Sequence, residues 1–176
     1  MKIGVIGAGR LGICFALLCE ELGHQVIVSD IRSHYVSDIN NRQIYSNEPE
    51  VEELLMRSER LQATTSNQDV IRQSDVIFTY VPTPSLEDGS YDVSCVDDVV
   101  EDLLQAPNIM GKKFIVGCTT NPGYVDQVAE KLKDRGVSVF YSPEFVAQGT
   151  IIRDMRNADM VLCGGDDSTQ IGRAHV

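Results

Sequence analysis

The chain has 176 residues, of which 43% are hydrophobic, and this composition suits one globular domain with a substantial core. Its formal net charge of -11 repels phosphate backbones, so we do not expect a nucleic-acid partner. No apolar stretch reaches the roughly 20 residues of a membrane-spanning helix, and no secretory leader precedes the first predicted strand. The five cysteines form no CxxC pair, which predicts reduced, mostly buried thiols in a cytoplasmic protein.

Short apolar strands alternate with helical segments along the whole chain. The predicted strands cover residues 3–6, 25–29, 61–65, 75–81, 113–118, 137–141 and 160–163. The predicted helices cover residues 11–22, two pieces of 33–60 separated near Pro49, and residues 67–73, 95–104 and 124–134. This alternation predicts an α/β fold of the Rossmann type, a doubly wound and mostly parallel sheet with helices on both faces.

Unusual residues directly follow five of the predicted strands. Ligands of such a sheet bind beyond the carboxyl ends of its strands, so these residues should lie around one crevice. They are Gly7–Gly12, Asp30, Val81–Pro84, Cys118–Pro122 and Tyr141–Glu144.

The first strand, KIGVIG, leads into the turn Gly7-Ala-Gly-Arg-Leu-Gly12. In a GxGxxG turn, Gly7 allows the tight bend, Gly9 lets the backbone approach a pyrophosphate, and Gly12 lets the helix pack closely. The amides and dipole at the helix N-terminus then hold the phosphate charge. We therefore predict a dinucleotide site that includes Arg10 and Leu11; the alternative is a turn without a ligand.

Asp30 ends the second predicted strand, eighteen residues after Gly12. A carboxylate at this place accepts hydrogen bonds from the ribose hydroxyls and disfavours a 2′-phosphate, which selects NAD over NADP. The positive charge of the nearby Arg32 would slightly reduce this preference for NAD over NADP. The alternative is that Asp30 only caps the following helix.

Two further strands end in proline-containing loops. Val81-Pro82-Thr83-Pro84 predicts a stiff loop beneath the nicotinamide half of the cofactor, or simply the end of a strand. Thr119-Thr120-Asn121-Pro122 offers two hydroxyls, and the sequence leaves open whether they cap a helix or belong to a site.

Glu144 follows a strand and a proline and precedes Phe145. A carboxylate that is partly desolvated at the crevice has a raised pKa and can act as a base near neutral pH. The alternative is an acid at a helix N-terminus that interacts with the dipole. The seven acids of residues 87–102 predict a solvated surface, and no cluster has the spacing of a metal site.

Several of these motifs together resemble the N-terminal domain of the UDP-glucose/GDP-mannose dehydrogenase family. The matching segments are the glycine turn with Asp30, Val81–Pro84, Thr120-x-Pro122, and Ser142-Pro-Glu-Phe-Val-Ala-Gln-Gly-Thr150 continuing through Asn157-Ala-Asp159 to Gly164-Gly-Asp166. The last of these is specific to that family, whereas the glycine turn is shared by Rossmann dehydrogenases generally.

The resemblance implies an enzyme that oxidises the C6 alcohol of UDP-glucose, or of a related UDP- or GDP-sugar, to the uronic acid with two NAD. In that family a cysteine captures the intermediate aldehyde, and water finally releases the acid. Glu144 matches the general base and Thr120 the residue that positions this water. The matched NAD contacts are Val81, Pro82, Thr83, Thr120 and Glu144 with the glycine turn, and the matched sugar-nucleotide strip is Phe145, Val146, Ala147 and Gln148.

The chain departs from the family pattern in two ways. Gln148 stands where the family commonly has a second glutamate, so a role in proton transfer there is in doubt. The family's catalytic cysteine belongs to a C-terminal domain, which we expect to follow a linking helix that starts near residues 168–176. We therefore expect residues 1–176 to form one NAD-binding domain that binds NAD without turnover, within a homodimeric enzyme of nucleotide-sugar metabolism and polysaccharide biosynthesis.

Two other functions fit the same fold. A β-hydroxyacid-type NAD dehydrogenase shares the N-terminal pattern, although the Ser-Pro-Glu-Phe segment argues against it. A free-standing NAD-binding module without catalysis is the second alternative.

Overall fold

A computed structural model describes residues 1–165 of the chain. Seven strands form one sheet: β1 (Lys2–Ile6), β2 (Gln25–Ser29), β3 (Leu61–Thr64), β4 (Val76–Thr79), β5 (Lys113–Val116), β6 (Ser138–Tyr141) and β7 (Gly164–Gly165). Their spatial order is β3-β2-β1-β4-β5-β6-β7, with the first six parallel and β7 antiparallel to β6. This order confirms the predicted Rossmann-type sheet.

The helices connect these strands across both faces of the sheet. They are α1 (Arg10–Glu21), α2 (Ser33–Asn40), α3 (Val51–Arg57), α4 (Asn67–Gln73), α5 (Ser94–Gln105), α6 (Tyr124–Leu132) and α7 (Ile151–Arg156). Local chemistry sets several ends: the Ser66 side chain accepts a hydrogen bond from the amide of Asp69 and so caps α4. Gly136, with φ of +67°, follows the short 3₁₀ turn after α6.

Two apolar layers hold the sheet between the helices. On one face, α1, α3 and α7 bury Leu17, Leu55 and Ile152 against the sheet. On the other face, α4, α5 and α6 bury a second set that includes Val100 and Leu132. Burial of a side chain of this size stabilises the fold by about 1.5–3 kcal/mol, so these layers supply the main favourable term. Within residues 1–165 no helix is long and apolar enough to cross a membrane.

Two elements near the end of the described region differ from the prediction. The predicted strand at residues 160–163 is wrong, because within residues 1–165 the segment after α7 pairs with β6 at Gly164–Gly165 instead. A Cβ on Gly165 would lie 2.3 Å from the Phe140 ring. The chain therefore pairs with β6 where glycine lets the two backbones approach closely, and not at the apolar Met160 and Val161. The predicted linking helix near residues 168–176 lies outside the described residues, as does Asp166.

Helix α7 was not predicted, because two adjacent β-branched isoleucines give a weak helical pattern. The helix forms because both isoleucines are buried against the α1 layer. At its start, the Thr150 hydroxyl donates a hydrogen bond of 2.5 Å to the carboxylate of Asp154.

Candidate active-site crevice

The glycine turn joins the end of β1 to the start of α1. The amides of Gly7 and Ala8 both donate to the Ser29 carbonyl, at 2.9 Å each, which holds the turn against the end of β2. Gly7 has a φ of +95°, and a Cβ there would lie 2.6 Å from the Tyr80 carbonyl oxygen. A Cβ on Gly12 would lie 2.0 Å from the Gly7 carbonyl oxygen, so α1 packs directly on the turn. Both positions therefore require glycine.

Gly9 is different, because no atom lies within 4 Å of the position that its Cβ would occupy. Gly9 is also the N-cap of α1, and it provides no side-chain acceptor for the helix amides. The first turn of this 12-residue helix contains no acidic side chain. Open space, amide donors and the positive end of the helix dipole are the features that a pyrophosphate needs, so the turn fits the predicted dinucleotide.

Asp30 follows β2 and forms a bidentate ion pair with Arg32. The Arg32 Nε and Nη2 atoms donate to the two carboxylate oxygens of Asp30 at 2.8 and 2.9 Å, and the guanidinium lies 4.2 Å from the ring centroid of Tyr35. Burial alone raises the pKa of Asp30, but the hydrogen bonds and charge of Arg32 together lower it below its ordinary value. Asp30 is therefore ionised at neutral pH, and Arg32 lies beside this predicted ribose acceptor.

The loops after β4 and β5 are tied together by Asn121. Its side-chain amide accepts from the Tyr91 amide at 2.8 Å and donates to the Tyr91 carbonyl at 2.9 Å. These two hydrogen bonds hold the loop that contains Val81, Pro82 and Thr83 next to the turn after β5. Asn121 therefore has a structural role in positioning the predicted nicotinamide loop.

Glu144 lies in a non-helical segment after β6, which excludes the alternative that it begins a helix. Its Oε1 atom accepts a hydrogen bond from the Tyr80 hydroxyl at 3.1 Å. Burial raises the pKa of the Glu144 carboxyl, and the bond from Tyr80 offsets part of that increase. Glu144 borders a cavity of about 1150 Å³, whose lining is largely apolar and includes Phe78 and Ile115. This environment is the one that the sequence predicts for a general base.

Thr120 and Glu144 follow the neighbouring strands β5 and β6. Thr120 lines a separate hollow beside α6, whereas Glu144 lines the cavity on the α1 face of the sheet. No hydrogen bond within residues 1–165 joins their side chains. The geometry therefore brings Glu144 together with Tyr80, and the role of Thr120 beside Glu144 stays a prediction.

The predicted substrate strip runs along the mouth of the cavity. Phe145 is 57% exposed, Val146 packs against the α1 layer, and Ala147 and Gln148 are exposed. The Gln148 side chain accepts a hydrogen bond of 2.6 Å from Arg10 of the glycine turn. This bond connects the predicted cofactor turn directly to the predicted substrate strip.

Glu48 is a buried residue of the site that the sequence did not reveal. It is 3% exposed, and its carboxylate accepts from the amides of Gly149, at 2.9 Å to each oxygen, and Ile151, at 3.4 Å. The Arg10 Nε atom lies 3.7 Å from the same carboxylate. Glu48 thus orders the strip. It lies in a polar segment about a hundred residues away in sequence, where its position before Pro49 was the one feature that distinguished it from the neighbouring acids.

Stability should depend on pH through Glu144. Its raised pKa means that the folded chain keeps this proton at pH values where the unfolded chain, with an ordinary pKa of 4.5, has lost it. Ionisation above that pH therefore lowers the stability of the fold as pH rises. We expect Glu144→Gln to be more stable than the wild type at neutral pH, with the difference vanishing below pH of about 4.

Thermal unfolding followed by circular dichroism between pH of about 4 and 8 measures this dependence. Glu53→Gln serves as the control, because the Glu53 side chain is 65% exposed and should change stability little at any pH. A wild type more stable than Glu144→Gln at neutral pH would contradict the desolvated position of the carboxyl.

Comparison with known proteins gives the same assignment. The sequence model of the UDP-glucose/GDP-mannose dehydrogenase family, NAD binding domain, matches residues 1–175. UDP-glucose 6-dehydrogenase AglM of Haloferax volcanii is 30% identical over 180 residues, covering 93% of this chain and 41% of AglM. UDP-glucose 6-dehydrogenase of Gallus gallus is 31% identical over 186 residues, covering 96% of this chain and 37% of that protein.

Solved structures of the family have the same fold. GDP-mannose dehydrogenase from Pseudomonas aeruginosa, in a ternary complex, matches with a TM-score of 0.87 and 29% identity over 96% of this chain and 42% of that one. UDP-glucose dehydrogenase from Pyrobaculum islandicum matches with a TM-score of 0.84 and 26% identity over 95% and 41%. The chain spans about two fifths of these proteins, and it belongs to the UDP-glucose/GDP-mannose dehydrogenase family as an NAD-binding domain.

Proposed function

We propose that this domain serves an enzyme that oxidises the C6 hydroxyl of a nucleotide sugar, UDP-glucose or a related UDP- or GDP-sugar, to the uronic acid. The observation that carries the proposal is the position of Glu144. A desolvated carboxyl follows β6 and borders an apolar cavity on the α1 face of the sheet, and Arg10 of the glycine turn hydrogen-bonds the strip that follows this carboxyl. The family match favours this activity over that of a β-hydroxyacid dehydrogenase.

The residues that hold NAD are those of the turn and the strand ends. Gly9 and the first turn of α1 bind the pyrophosphate, and Asp30 accepts the ribose hydroxyls. The loop Val81-Pro82-Thr83 would lie beneath the nicotinamide. Thr120, which follows the next strand of the sheet, would contact NAD and help to position the water that Glu144 activates. When bound, NAD supplies the acceptor for the hydride that leaves the sugar.

Glu144 acts as the general base that takes a proton from the water releasing the acid product. Its raised pKa brings its proton affinity closer to neutral pH, where a base works most efficiently. The strip of Phe145, Val146, Ala147 and Gln148 contacts the sugar nucleotide at the mouth of the cavity. We further place the enzyme in the cytoplasm, as a homodimer that serves polysaccharide biosynthesis.

The test uses the full-length protein that contains this domain. We expect Glu144→Gln to lower kcat for NADH formation from UDP-glucose by at least about 100-fold, a much larger effect than any change in the Kd for NAD. Glu53→Gln, on the exposed face of α3, is the matched control and should keep the wild-type rate. A Glu144→Gln enzyme with wild-type kcat would remove the proposed base from the mechanism.

A further inference from the structure

Tyr80 immediately follows β4 and is held rigidly in the α1 layer of the core. Its side chain is 8% exposed, and its ring lies 5.3 Å from the Phe15 ring and 6.4 Å from the Phe78 ring. A Cβ on Gly117 would lie 2.3 Å from Cε1 of Tyr80, so the glycine at the end of β5 makes the space for this ring. Both neighbouring strands therefore fix where the Tyr80 hydroxyl stands.

That hydroxyl donates to Oε1 of Glu144 at 3.1 Å, across 64 residues of sequence. Burial, followed by the nearby carboxylate of Glu144, raises the pKa of Tyr80 well above its ordinary value. The phenol therefore remains protonated across the neutral range and can donate to the Glu144 carboxylate. Within residues 1–165 the hydrogen bond from Tyr80 goes to Oε1 of Glu144, and no group of the chain donates to the second oxygen.

We infer that Tyr80 is a positioning residue for Glu144: its buried hydroxyl fixes one carboxylate oxygen and favours the ionised form, so that the other oxygen faces the reaction. This inference rests on the proposed function of Glu144, but the contact itself belongs to the domain and can be tested without turnover. A hydrogen bond donated to a carboxylate stabilises the charged form.

The other titratable groups around this pair do not replace the phenol. Burial raises the pKa of Cys19 on α1 to about 12 and that of Cys118 after β5 to about 11, so both thiols are neutral at working pH. Lys113, Asp154 and Asp159 also line the cavity. Within residues 1–165 none of these three donates to or accepts from Glu144, and Asp154 is engaged by Thr150 and the amide of Ala147. Within residues 1–165 the Tyr80 hydroxyl is thus the side-chain group that hydrogen-bonds the Glu144 carboxylate directly.

The test is the pKa of Glu144 in Tyr80→Phe, measured on this domain by carbon-13 NMR of labelled glutamate side chains and assigned with Glu144→Gln. Phenylalanine keeps the ring packing against Gly117 and removes only the hydroxyl. We expect the Glu144 titration to shift to higher pH, because the carboxylate loses its donor while remaining buried. Tyr124→Phe is the matched control, since the buried Tyr124 hydroxyl donates to Asp97 at 3.0 Å on the other face of the sheet.

An unchanged or lowered pKa of Glu144 in Tyr80→Phe, or an equal shift in Tyr124→Phe, would overturn the inference. If Tyr80→Phe does not fold, the pH dependence of the Tyr80 Cζ resonance in the wild type tests the same hydrogen bond. This resonance should titrate together with Glu144 and lose that transition in Glu144→Gln; a flat Cζ resonance in the wild type would overturn the inference equally.

The proposed function and this inference fail separately. In the full-length enzyme, Tyr80→Phe should move the acidic limb of the kcat–pH profile to higher pH while leaving the Kd for NAD unchanged. A pKa shift in the domain combined with a fully active Glu144→Gln enzyme would leave the contact established and remove the base role. A fully inactive Glu144→Gln enzyme, combined with an unchanged Glu144 pKa in Tyr80→Phe, would support the base role of Glu144 and remove the positioning role of Tyr80.

Discussion

Gly9→Ala should weaken NAD binding by at least about 100-fold while changing the free energy of unfolding by no more than about 1 kcal/mol. Gly9 has an ordinary φ of −62°, and its Cβ would meet no atom of the chain within 4 Å. The same open space is where the pyrophosphate must approach the backbone, so the methyl group displaces the ligand and nothing else. Titration calorimetry with NAD and a thermal melt on the same sample measure the two quantities.

Gly12→Ala is the matched comparison, because it places the same methyl group three residues further along the turn. There the Cβ would lie 2.0 Å from a backbone oxygen of Gly7, so α1 must move. We expect a loss of about 1–3 kcal/mol of stability or more, together with lost NAD binding. Tight NAD binding by Gly9→Ala would show that the turn is not the pyrophosphate site, whatever Gly12→Ala does.

Asp30→Asn should weaken NAD binding by about 10-fold and bring the affinity for NADP close to that for NAD. The substitution removes the negative charge that repels a 2′-phosphate. It also releases the guanidinium of Arg32, which Asp30 now holds through two hydrogen bonds of 2.8 and 2.9 Å. A freed guanidinium beside the ribose is well suited to bind phosphate, so the gain in NADP affinity should exceed that from charge removal alone.

The double variant Asp30→Asn with Arg32→Ala separates these two contributions. It should keep the weak NAD binding and lose the gain in NADP binding, both measured as Kd by calorimetry. If the single and double variants bind NADP equally, Arg32 takes no part in cofactor selection. If neither variant changes the ratio of the NAD and NADP dissociation constants, Asp30 is not the ribose acceptor.

The sequence predicts most of the sheet because β1, β2, β4, β5 and β6 are short apolar runs that end at or near a glycine, an acid or a proline. Residues 25–29 and 67–73 were predicted with the observed bounds. The strand at residues 160–163 was wrong, and α7 was not predicted, because tertiary packing overrides local pattern there. Gly165 pairs with β6 since it fits beside the Phe140 ring, which no local propensity could show.

The glycine turn, Asp30 and Glu144 could be predicted because each follows a strand directly, and parallel strands bring their carboxyl ends to one edge. Glu48 and Tyr80 could not be predicted from local pattern. Their partners lie 101 and 64 residues away, so their roles depend on how distant segments pack. Tyr80 did carry one usable signal, a hydroxyl-bearing aromatic at the end of a strongly apolar strand.

The most direct test of the account is an amide NMR titration of the domain with NAD. We predict saturable shifts at the glycine turn, at Asp30, along Val81–Thr83 and at Glu144, because these residues follow parallel strands whose carboxyl ends lie at one edge of the sheet. The shifts at the turn should disappear in Gly9→Ala. Absence of shifts in a folded sample, or shifts confined to the hollow beside α6 around Gly123, would contradict the account.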